Sequence, residues 1–78
     1  MTVTAPSITT SATARATVRS IAPERLRVEL DGEVVGFIDI VGPVHVALLG
    51  NMYPYAVEIA QTLDADSAAH AVIAAAQS

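Results

Sequence analysis

Arg25-Leu26-Arg27-Val28-Glu29-Leu30-Asp31-Gly32 is the stretch that decides the fold. Leu26, Val28 and Leu30 alternate with Arg25, Arg27 and Glu29, which is the period of a half-buried β-strand. Asp-Gly then signals a two-residue hairpin, because both central residues of that turn need positive φ. The return strand is expected over Glu33–Val41. Strict alternation puts Val34, Ile38 and Ile40, with Gly36 among them, on one face, and Val35, Phe37 and Val41, with Asp39 between them, on the other. A strand solvated on one side does not carry apolar residues on both. Gly42-Pro43 marks another turn, and Val44–Leu49 reads as a third strand ended by Gly50.

Beyond Gly50 the signals are helical. Asn51 suits an N-cap and Pro54 the first turn. Ala56, Ile59, Ala60 and Leu63 then share one helical face. Asp64 or Asp66 is expected to cap a second, alanine-rich helix from Ser67 to about Ala76, with Ala69, Val72, Ile73 and Ala76 on its apolar face. The expected fold is therefore α+β: a three-stranded antiparallel β-meander followed by a two-helix hairpin packed on one sheet face, over residues 23–78. Residues 1–22 are rich in Ser, Thr and Ala and read as a flexible arm. Thr17–Ile21 would also suit an edge strand ended by Pro23.

Seventy-eight residues allow one domain, and a chain this short buries only about 60% of the surface that its unfolded form exposes. Cysteine is absent, which excludes disulfides and thiolate metal sites. Apolar residues make up 53% and charged residues 15%, against a charged share of about 25% in ordinary domains. Two short helices cannot cover that much aliphatic surface. Val35, Phe37 and Val41 are expected to remain exposed on the far sheet face as an oligomer interface, with a symmetric dimer the commonest solution. Tyr53-Pro54-Tyr55 adds two aromatic anchors beside a rigid proline.

Charge narrows the function classes. The net charge is −4 and there is no lysine. Arg15, Arg19, Arg25 and Arg27 supply every positive charge, and from Val28 onward all charged residues are acidic. Such a body repels phosphate backbones. A nucleic-acid reading would have to rest on Arg15 and Arg19 in the arm. The most apolar run, Val34–Leu49, is broken by Gly36, Asp39, Gly42, Pro43 and His45, so a span of roughly 20 apolar residues is not expected. The first residues lack the basic start and apolar core of a secretory signal, and a cytoplasmic location is the expectation. The arginine and alanine bias without lysine fits a GC-rich coding sequence, such as that of an actinobacterium or one of its phages.

No motif fixes a reaction. His45 lies mid-strand and fits a solvated sheet face better than a metal site, which needs three or four convergent ligands. His70 follows Asp66 and Ser67 at helical spacing, but neighbours on one helix do not deliver a nucleophile held against an oxyanion hole. Asp64-Ala65-Asp66 lacks the further oxygen ligands of a calcium loop and reads as helix capping. The glycines form neither a phosphate loop nor GxGxxG. No catalytic, cofactor-binding or metal-ligating residue and no cofactor are therefore expected. The leading expectation is a non-catalytic, homo-oligomeric accessory or regulatory module that binds another protein, a host protein being one candidate partner. A small DNA-associated regulator with basic arms and a structural virion or assembly component are the alternatives.

Overall fold

The computed structural model describes residues 15–78. Five strands run in chain order across one antiparallel sheet: β1 (Ala16–Ala22), β2 (Arg25–Leu30), β3 (Glu33–Val41), β4 (Val44–Leu49) and β5 (Val57–Thr62). One helix, α1 (Ala65–Ala76), follows. The expected three-stranded meander with a two-helix hairpin is therefore incorrect. The sheet gains a strand at each end and loses a helix to one of them.

At the front, Thr17, Val18 and Ile21 favour extended structure, and β1 pairs with β2 from Ala16–Leu30 through to Ala22–Arg25. Asp31 fixes the start of this strand: its carboxylate accepts a bond from the Arg15 N–H at 2.8 Å, and its own N–H donates to the Arg15 carbonyl at 2.7 Å. The expected arm thus ends inside the sheet, and its residues 1–14 lie outside the described residues. At the back, Val57–Thr62 is a strand and not the first helix. Val57, Ile59 and Thr62 are β-branched, which weakens a helix and suits a pleated surface, and β4 offers this segment a free ladder.

The hairpin signals hold. Asp31 has φ 53° and Gly32 φ 85°, as the Asp-Gly turn requires. Gly42, with φ 58°, leads the next turn. Pro23 stands in the turn between β1 and β2. The helix is capped by Asp64, whose carboxylate accepts the Ser67 N–H at 2.7 Å.

The core lies between α1 and one sheet face. Val28, Ile38 and Ala47 meet Ala68, Ala69, Val72 and Ile73. Gly36 sits under Val72, where any side chain would collide with Val72 and with the Leu48 carbonyl. The helix packs on β2–β5 and chiefly on β4. It leaves most of β1 uncovered, and Val18 stays 43% exposed.

Candidate functional site

On the sheet face away from α1, the chain itself covers Phe37. The loop from Gly50 to Ala56 folds back over it, with Tyr53–Tyr55 forming a single 3₁₀ turn and Pro54 in its opening positions. Tyr53 lies edge-on to Phe37, with ring centroids 5.6 Å apart and planes at 86°. The Arg25 guanidinium lies over the Tyr53 ring, 3.6 Å from its centroid. Asp39 ties the group together: Arg25 Nε donates to one carboxylate oxygen at 2.9 Å, and the Tyr53 hydroxyl donates to the other at 2.5 Å. Cross-strand pairing sets this up, because Arg25 stands opposite Asp39, and Arg27 opposite Phe37.

The electrostatics follow from the geometry. The hydrogen bond to the Asp39 carboxylate, aided by burial, pushes the Tyr53 phenol above its ordinary value. The same carboxylate raises the Arg25 guanidinium. A neighbouring anion disfavours tyrosinate and favours guanidinium, and both shifts have that sign.

Two of the residues expected on an open face are not open. Phe37 is only 6% exposed, beneath Tyr53. Val35 packs toward the core. The pairing skips it, since Val28 faces Gly36 and Glu29 faces Val34, and such a bulge puts one extra residue into the strand and breaks its alternation. Val41 is exposed at 62%, at the strand end. Tyr53 is half-buried in the cluster and Tyr55 is 77% exposed.

Exposed apolar surface gathers elsewhere, along β5 and the segments flanking it. Met52, Tyr55, Val57, Ile59 and Leu63 are all exposed, Val57 at 64% and Leu63 at 78%. Among the described residues β5 is an edge strand, so one row of its backbone donors and acceptors has no partner strand there. Such an edge is a template for another chain, and proteins blunt it with lysine, proline or inward-pointing charge. β5 contains none of these, although its pairing with β4 carries a bulge at Ile59, which is another such device. Its charged side chain, Glu58, points away from the core and accepts a bond from Gln61 at 2.8 Å. Sequence reasoning missed this edge because positions 56, 59, 60 and 63 also fit a helical face. The β-branched alternation Val57-Glu58-Ile59 was the available signal.

The arginines are largely committed. Arg25 pairs with Asp39, and Arg27 with Glu29 at 2.9 Å. Arg19 approaches Glu29 at 3.5 Å while remaining mostly exposed. Arg15 is exposed at the start of β1.

The histidines stand apart. The register places His45 opposite Ile40 and Thr62, and its Nδ1 is buried without a hydrogen-bond partner. His70 is exposed on α1. The Ser67 hydroxyl donates to Asp64 at 3.1 Å. Both Ser67 bonds, with a smaller contribution from His45, hold the Asp64 carboxyl below the ordinary carboxylate range. Among the described residues no group of three or more His, Asp or Glu side chains is placed to hold a metal ion, and no helix is long and apolar enough to cross a membrane. No protein-family model, no curated protein and no solved structure matches the chain.

Proposed function

We propose that this chain is a non-catalytic protein-interaction module that works as a homo-oligomer, and that the free edge of β5 with its apolar flanks is the binding surface. The observation that carries the reading is the concentration of exposed Tyr55, Val57, Ile59 and Leu63 on one strand edge and its flanks. Paired with a neighbour, that edge would bury apolar side chains and satisfy its backbone groups together, which gives affinity from the ladder and selectivity from the side chains. Phe37 offers little surface for this role, because Tyr53 covers it.

The nucleic-acid alternative draws less support from the same geometry. Arg25 and Arg27 lie beside carboxylates, which leaves Arg15 and the mostly exposed Arg19 as the positive charge open to a phosphate backbone.

Sedimentation velocity on the wild type and on Val57→Lys tests the proposal. The wild type should sediment as an assembly whose size grows with concentration. Val57→Lys, which adds a charge at a free strand edge, should run as a folded monomer. A wild type that stays monomeric up to high micromolar concentration removes the reading.

A further inference from the structure

We infer that the partner of β5 is β1 of a second copy, added in parallel so that the sheet continues from one chain into the next. This rests on the reading of β5 as the interaction edge and names what occupies it. The cross-strand register carries the argument. Arg19 stands opposite Arg27, Arg27 opposite Phe37, Phe37 opposite Leu48, and Leu48 opposite Glu58. These five residues form one row across the face away from α1, cationic at the β1 edge and anionic at the β5 edge. The adjacent row, on the helix side, runs Val18, Val28, Gly36, Leu49, Val57. It ends in an exposed valine at both edges.

Four antiparallel steps separate β1 from β5, so the two edge strands point the same way. Continuing the sheet by one strand therefore sets Glu58 of one copy beside Arg19 of the next, and Val57 beside Val18, each pair in one row and on one face. Opposite charges and apolar pairs at neighbouring strand positions are favourable. The Arg19 side chain is 60% exposed and only loosely engaged with Glu29, so it is free to turn outward.

The helix adds a third point of fit. It packs against β5 but makes little contact with β1, so a β1 strand seated beside β5 brings its bare helix-side face toward the flank of α1. A symmetric contact lacks the opposite-charge pair: joining β5 to β5 brings only Glu58 from each copy, and joining β1 to β1 only Arg19. The β5–β1 contact uses different surfaces on the two copies, so it propagates to a ring or an open chain and not to a closed twofold dimer.

Charge reversal in the full chain tests this by light scattering on a sizing column, with far-UV circular dichroism to confirm folding. Arg19→Glu and Glu58→Arg should each weaken assembly at least tenfold. An equimolar mixture of the two variants should regain the wild-type mass, because each junction between unlike chains again pairs opposite charges. The double variant Arg19→Glu/Glu58→Arg should regain it alone. If Arg19→Glu assembles like the wild type while Val57→Lys does not, the β5 edge is an interface but β1 is not its partner. If both single variants fail and their mixture also fails, the head-to-tail pairing is refuted. A monomeric wild type removes both this inference and the reading beneath it.

Discussion

Replacing Gly36 by alanine tests how α1 is seated. A methyl group built on Gly36 would lie 2.5 Å from Val72 Cγ1 and closer still to the Leu48 carbonyl oxygen, where ordinary carbon contacts are near 4 Å. Neither neighbour yields readily. Leu48 is held in the β3–β4 ladder opposite Phe37, and Val72 is fully buried with a stiff χ1. Overpacking costs about 1–3 kcal/mol, and with backbone on one side the upper end, about 3 kcal/mol, applies. At about 4–8 °C per kcal/mol for a domain of this size, Tm should fall by about 12–24 °C. Thermal unfolding followed by far-UV circular dichroism at fixed protein concentration measures it, since self-association makes Tm concentration-dependent. Val72→Ala removes one of the two collisions. The double variant should therefore be less destabilised than the sum of the singles by about 1 kcal/mol. A Gly36→Ala chain within about 0.5 kcal/mol of the wild type, with additive behaviour in the double variant, would refute this account of helix–sheet packing.

Other expectations concern the titrating groups. Tyr53→Phe keeps the ring against Phe37 and Arg25 but removes the bond to Asp39, so Tm should fall at neutral pH. The Tyr53 phenol is raised in the folded chain, so its stabilisation is complete below the ordinary tyrosine value of about 10 and is lost as pH climbs through the folded value. Ultraviolet titration should show a phenol ionising above that ordinary value in the wild type and not in Tyr53→Phe, and a high-pH transition unchanged by the substitution would contradict the Asp39 bond. Asp64 is depressed in the folded chain, so its contribution is complete above about pH 4 and is lost as pH falls through the folded value. Asp64→Asn should retain much of the cap while losing this dependence. The stability gap between it and the wild type should therefore close on acidification, and a constant gap from pH 5 to pH 2 would argue against the Ser67 bonds as its source.

Local chemistry made part of this architecture legible in the sequence. The Arg25–Leu30 alternation, the Asp31–Gly32 turn, the Gly42–Pro43 turn and the capped alanine-rich helix each carry a short-range physical signature, and each stands where that signature puts it. The errors came where two periods coincide or one breaks. Positions 56, 59, 60 and 63 satisfy a helix, yet Val57 and Ile59 prefer extended backbone, and the open β4 ladder decides between them. Thr17–Ile21 also suits an edge strand ended by Pro23, and β1 forms there, where the Ser/Thr/Ala-rich composition favours a flexible arm. The candidate surface shifted for a related reason. The bulge at Val35 turns that residue toward the core, and a loop residue distant in sequence, Tyr53, comes down over Phe37. Neither a bulge nor a long-range stacking contact is visible in residue spacing.

Hydrogen–deuterium exchange at two protein concentrations, one on each side of the assembly transition, tests the central claim most directly. The account predicts that amides of Val57–Thr62 and of Ala16–Ala22 gain protection together as concentration rises, while those of β3, already paired on both sides, change little. Exchange along β5 that is fast and independent of concentration would contradict it.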